Sequence, residues 1–211
     1  MKITIIGASA GVGLATAKRA LERGHQVTTL SRSEINLPKS KSLKALIGNA
    51  LNKDDLKHSI AAADAVIIAL GTGKNRKPTT LYSEFARLLL EVHKETDTQI
   101  PFIILTGFGA GKSNEFLDGI VLRLFFKYVL NKVYEDKTLM EELISKSNIN
   151  WEIVRPGILK DHPLTEKYRI VNHLFKSMKI GGINREDVAD FMVKQAENPS
   201  ELKKYPALSN R

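Results

Sequence analysis

The residues best suited to chemistry stand at the amino end, in the run Gly7-Ala8-Ser9-Ala10-Gly11-Val12-Gly13. Glycines at these three places let a backbone bend sharply, approach a ligand closely and pack a helix tightly on a strand. The short β-branched run Lys2 to Ile6 precedes the turn, and a helical stripe of Leu14, Ala17, Ala20 and Leu21 follows it. The first N–H groups of a helix that starts there are free to hold an anion, helped by the helix dipole. Gly24 leads into a second strand, Gln26 to Leu30, which completes the βαβ unit that a dinucleotide's pyrophosphate requires. Gly7, Ser9, Ala10, Gly11, Val12 and Gly13 are therefore expected to border the cofactor.

Strand two ends in Ser31-Arg32-Ser33. An acidic residue there accepts hydrogen bonds from the ribose hydroxyls of NAD, whereas a 2′-phosphate calls for arginine. Ser31 and Arg32 favour NADP(H), with NAD(H) left open by the nearby Glu34 and by the reading of Arg32 as an ordinary surface residue.

The elements that must carry these residues alternate along the chain. Leu43 to Ile47 reads as strand three, Lys53 to Ala62 as a helix, and Ala65 to Leu70 as a strand buried on both faces. A helix opened by Pro78 runs through Val92, Ile100 to Thr106 is a strand, and Phe116 to Val133 carries a broad apolar helical stripe. Tyr205 to Leu208 supplies the last strand, and Leu159 to Gly182 shows no regular pattern. Asn184 is expected to cap a closing helix with acids in its first turn. This is an α/β chain with a doubly wound, mainly parallel sheet of about seven strands and helices on both faces.

The Gly-x-x-x-Gly-x-Gly spacing resembles the short-chain dehydrogenase/reductase superfamily, over nearly the whole chain. The phrase Trp151-Glu-Ile-Val-Arg-Pro-Gly157 is similar to the atypical NmrA-like and flavin/biliverdin-reductase-like members, from whose commoner turn the chain departs at Ala10. The resemblance implies a Rossmann domain over 1–211, with 158–182 as a substrate-side insertion. It implies that Asn49 and Ala50 meet the adenine, that Leu70, Gly71 and Thr72 border the cofactor, and that Pro156 and Gly157 line the nicotinamide. Thr106 takes the place of a hydroxyl that polarises the substrate. Counting back nineteen residues from Pro156 gives Lys137, followed by Glu141 in the atypical Lys-x-x-x-Glu pattern, so Lys137 is expected to touch the ribose.

In that register the orthodox tyrosine position is Val133, and Tyr134, one residue later, is expected to face about 100° away. Tyr128 and Lys132 form a rival pair that sits five residues out of register. Without the usual acid, hydride transfer from NADPH to a small planar acceptor such as a flavin, quinone or bilin-like ring makes the smaller demand, because protons can come from water. The alternative is a non-catalytic NAD(P)-binding redox sensor.

Composition sets the outer bounds. The chain has 211 residues with 43% hydrophobic content and no cysteine, which fits one well-filled domain without disulfides or thiolate metal ligands. The fold is entered at residue 2 with no secretory signal ahead of it, so the expected place is the cytoplasm. The net charge of +9 is spread along the sequence without a nucleic-acid motif, and nucleic acid and membrane are not expected as partners. His162 and His173 make no metal pair, and no metal is expected. The protein is expected to be a monomer or a homodimer acting on a small-molecule acceptor.

Overall fold

A computed structural model describes residues 1–73, 77–117, 131–175 and 180–210. Its strands are β1 (Lys2–Ile6), β2 (Gln26–Ser31), β3 (Leu43–Ile47), β4 (Ala65–Ile68), β5 (Pro101–Leu105), β6 (Asn150–Pro156), β7 (Ile158–Lys160), β8 (Tyr168–Val171), β9 (Gly182–Asn184) and β10 (Ala207–Asn210). The helices are α1 (Gly11–Glu22), α2 (Lys53–Ile60), α3 (Leu81–Thr96), α4 (Asn131–Ser145) and α5 (Arg185–Glu197), with a short 3₁₀ segment at Gly111–Phe116. Eight strands form one sheet in the order β3-β2-β1-β4-β5-β6-β10-β8, and β7 pairs with β9 in a separate ribbon. All pairings in the large sheet are parallel except β10 with β8.

Alternation along the central strands explains why they read as unbroken apolar runs. Ile3, Ile5, Ala65, Ile67, Ile103 and Val154 pack with Ala17, Ala20 and Phe191 of α1 and α5. Ile6, Val66, Ile68, Phe102, Ile104 and Ile153 pack on the other side with Leu56, Phe85 and Met140 of α2, α3 and α4. A parallel sheet covered on both faces needs apolar side chains at every position.

Local chemistry sets the helix ends. The Asn52 side chain accepts from Asp55 N and caps α2. The carboxylate of Asp136, on α4, accepts from Tyr82 N at 2.8 Å and Ser83 N at 3.2 Å and so caps α3 from another element. Asn184 stands at the N-cap of α5, but its side chain makes no cap hydrogen bond. Asp187, in the first turn of α5, accepts from Asn184 Nδ2, Thr165 Oγ1 and the backbone N–H groups of Thr165 and Glu166, tying the segment before β8 to the start of α5.

The expected mainly parallel sheet of about seven strands has eight, because β8 adds an antiparallel edge that its half-exposed Tyr-Arg-Ile-Val sequence does not announce. Two narrower expectations need correction, and a third falls largely outside the described residues. The stretch 159–182 holds β8 and is bounded by β7 and β9, so it is not irregular throughout. The last strand starts at Ala207 rather than Tyr205, whose ring lies on Arg155. Of the expected helix 116–133, residues 118–130 lie outside the described residues; Phe116 closes the 3₁₀ segment, and 131–133 begin α4.

Glu152, on β6, is fully buried, and neither carboxylate oxygen has a hydrogen-bond partner. Burial first, and then the charge of Glu201, pushes its pKa from 4.5 to about 8. The folded state therefore holds a proton that the unfolded chain gives up, and stability falls as pH rises from about 4.5 to about 8. Glu152→Met is expected to raise stability at pH 7 by about 2 kcal/mol and to abolish that slope. Urea denaturation at several pH values checks it; an unchanged slope would contradict it.

Candidate cofactor and active site

The strand order reverses between β1 and β4, and it is outside the carboxyl ends of strands at such a point that open α/β sheets bind ligands. The ends of β1, β4, β5 and β6 there carry Gly7, Leu70-Gly71-Thr72, Thr106-Gly107 and Pro156-Gly157. Nearly all the sequence-derived positions thus lie along one edge.

At the first of these ends α1 begins at Gly11, and Ala10 supplies no side-chain cap to its leading N–H groups. Gly11 has φ +57, which glycine adopts without strain. A Cβ on Gly13 would stand 2.1 Å from Gly7 O, so strand and helix approach as the third glycine of a phosphate turn allows. N–H groups without a side-chain cap at a helix start fit a pyrophosphate. Val12 points into the core, while Ser9 is half-buried and Ala10 and Gly11 are exposed.

Along the edge, the Ser31 hydroxyl donates to Ser33 O, and Arg32 is exposed beyond it. Asn49 Oδ1 accepts from Leu51 N, so that oxygen closes the turn after β3, while Ala50 is buried in the core. Thr72 is hydrogen-bonded to the buried Tyr82. Tyr82 carried no signal in the sequence beyond an apolar helical face, yet it anchors the loop after β4.

The centre of the site lies where α4 meets the end of β5. Lys137 Nζ donates to Thr106 O at 2.6 Å and lies 4.9 Å from the Tyr134 ring centre and 5.3 Å from that of Tyr82. Burial lowers its pKa to about 8, against the opposing charge of Glu141. Val133 is 6% exposed and packs in the core with Met140 and Ile144. Tyr134 does not face elsewhere: its hydroxyl reaches within 2.8 Å of where a Cβ on Gly107 would stand. The reason is helical geometry, since positions 134, 137, 138 and 141 follow the i, i+3, i+4, i+7 stripe, and an i−3 neighbour shares the lysine's face as well as an i−4 one does.

Burial, followed by the proximity of Tyr82 and Glu141, raises the pKa of Tyr134 to about 12, the opposite of the lowering that an activating lysine gives. The Thr106 hydroxyl is committed. It donates to Glu141 Oε1 at 2.7 Å, and Arg155 holds both oxygens of the same carboxylate. Thr106, Glu141 and Arg155 are all less than 6% exposed. The paired motifs Lys-x-x-x-Glu and Arg-Pro-Gly therefore meet as one buried clasp between α4, β5 and β6.

The whole stretch from the phosphate turn to the end of α5, residues 7–199, matches the NAD(P)H-binding family model. The chain belongs to this NAD(P)H-binding family. Solved structures agree with the fold. A protein of Streptococcus pneumoniae provisionally named as an NADH-flavin reductase is 26% identical, with all of both chains aligned and a TM-score of 0.78. An anaerobilin reductase of Escherichia coli O157:H7 is 21% identical over all of this chain and 97% of its own, with a TM-score of 0.77. A short-chain dehydrogenase/reductase of Veillonella parvula in complex with NADP is 15% identical over 99% of this chain and 94% of its own, with a TM-score of 0.82.

Among the described residues, no helix is long and apolar enough to cross a membrane, and no group of three or more His, Cys, Asp or Glu gathers as a metal site.

Proposed function

We infer that this protein is an oxidoreductase that transfers hydride from NADPH to a small planar acceptor, a flavin, quinone or bilin-like ring, without an activated tyrosine acid. The observation that carries the reading is the state of the centre: Lys137 is bound to Thr106 O, the Tyr134 phenol is pushed up to about 12, and the Thr106 hydroxyl is spent on Glu141. None of these groups is a tyrosine whose pKa a neighbouring lysine lowers, the usual acid of alcohol and carbonyl chemistry. The bound nicotinamide supplies the hydride. The chain's residues bind and orient: the N–H groups from Gly11 to Gly13 hold the pyrophosphate, Arg32 takes the 2′-phosphate, and Pro156 and Gly157 border the ring. Lys137 keeps two N–H groups beyond the one given to Thr106 O, enough to meet a ribose hydroxyl. Names given to the similar structures, flavin reductase and anaerobilin reductase, support a planar acceptor.

The test is oxidation of NADPH followed by its absorbance with FMN, a simple quinone and a simple aldehyde. Turnover with the planar acceptors and none with the aldehyde is expected; oxidation only with the aldehyde contradicts the reading. Coenzyme binding without turnover on any acceptor favours a redox sensor. Arg32→Glu is expected to cost at least tenfold in NADPH affinity and to leave NADH affinity within threefold, the scale of one charge-assisted contact. Titration calorimetry with both coenzymes checks it, and an unaltered preference would remove Arg32 from the phosphate site.

A further inference from the structure

The ribbon β7–β9 joins two distant parts of the edge. Its register ends at Lys160 opposite Asn184, so the next residues, Asp161 and Arg185, stand side by side. Arg185 Nη1 donates to Asp161 Oδ1 at 2.6 Å, and a Cβ on Gly11 would find Arg185 Nε at 3.9 Å. The guanidinium thus lies against the phosphate turn, although it comes from the far end of the sequence. The Asp161 side chain is 85% exposed and that of Arg185 30% exposed. An ion pair this open to water is weak and exchanges readily.

The surroundings leave room for exchange. A cleft of about 450 Å³ runs beside the turn, lined by Gly11, Lys18, Asp161, His162 and Arg185 among others. The backbone beside both partners is tied down: Asp187 accepts from Thr165 and Glu166, and Asn184 Nδ2 donates to Pro163 O. A change of partner by the guanidinium needs only side-chain rotation.

We propose that Arg185 is a pyrophosphate-binding residue of the coenzyme site, held by Asp161 in the free protein and released to the doubly anionic pyrophosphate when the dinucleotide binds. A guanidinium offers a planar fork of N–H groups that suits two phosphate oxygens, and it joins the N–H groups of α1 from the opposite side. Asp161 competes with the ligand for the same donor, so it weakens binding and at the same time keeps the arginine beside the turn. The ribbon that carries both residues starts directly after Gly157, which connects the phosphate end of the site with its nicotinamide end. The inference rests on the coenzyme reading above but assigns a residue outside the glycine turn.

Calorimetric titration of the intact protein with NADPH and, separately, NADH tests it. Arg185→Ala is expected to weaken both coenzymes by about tenfold and to a similar extent, because both carry the pyrophosphate. Arg185→Lys is expected to recover part of the loss, and Asp161→Asn to tighten both by about threefold, an outcome that a structural role for the pair would not give. Circular dichroism confirms that each variant is folded. Loss of NADPH affinity alone would place Arg185 on the 2′-phosphate and overturn the assignment, as would unchanged affinity for both coenzymes or weaker binding by Asp161→Asn. If the unaltered protein binds neither coenzyme, the coenzyme reading fails first and the inference with it.

Discussion

Arg155→Ala is expected to destabilise the protein by about 3–5 kcal/mol, the cost of leaving a buried charge without its partner. Glu141 is 2% exposed, and its carboxylate is met by Arg155 Nε and Nη2 and by the Thr106 hydroxyl. Removing the guanidinium strands that carboxylate with one hydroxyl donor in a site closed to water. It also takes away the cation 4.2 Å above the Tyr205 ring. Substituting both partners with apolar residues, Arg155→Met with Glu141→Leu, is expected to recover more than half of the loss, because no charge is then buried. Chemical denaturation of the two variants makes the comparison. A single variant within 1 kcal/mol of the parent would show that the clasp is not needed to hold α4 against β5 and β6.

Gly13→Ala is expected to lower NADPH affinity at least a hundredfold and to cost several kcal/mol of stability, on the scale of a severely overpacked site. The added methyl would lie 2.1 Å from Gly7 O and 2.9 Å from Gly7 C, all backbone atoms without a rotamer to escape into. The helix start must move away from β1, and its N–H groups leave the position from which they could hold a phosphate. Gly24 makes a suitable control. It has φ +82, but a Cβ there meets nothing within 4 Å, so Gly24→Ala is expected to cost about 1 kcal/mol and leave coenzyme affinity intact. If Gly13→Ala binds NADPH as the parent does, the turn is not the phosphate site.

Much of this edge was legible in the sequence because its signals are local. The glycine turn, the strands of the central sheet and the spacing from Lys137 to Pro156 each depend on neighbours in the chain, and the structure brings all of them to the carboxyl ends of β1, β4, β5 and β6. What the sequence concealed depends on partners far apart. Thr106 reads as a free hydroxyl until Glu141, 35 residues on, is seen to accept its hydrogen bond. Tyr134 reads as turned away if only the i−4 neighbour of Lys137 is considered. Tyr82 carries no motif of its own, and Arg185 lies in the phrase Ile183-Asn-Arg-Glu-Asp187, which reads only as a helix start; one lies on the helix that Asp136 caps, and the β7–β9 register sets the other beside Asp161. The same holds for Glu152, whose place on a buried strand face is visible in the alternation while its lack of partners is not.

The central claim is that the amino-terminal turn holds a nicotinamide dinucleotide. Titrating the unmodified protein with NADPH in a calorimeter tests it most directly. One saturating site per chain, with NADH bound more weakly, is the result expected from uncapped N–H groups at Gly11 and an arginine at position 32. No heat and no saturation with either coenzyme up to millimolar concentration would contradict it.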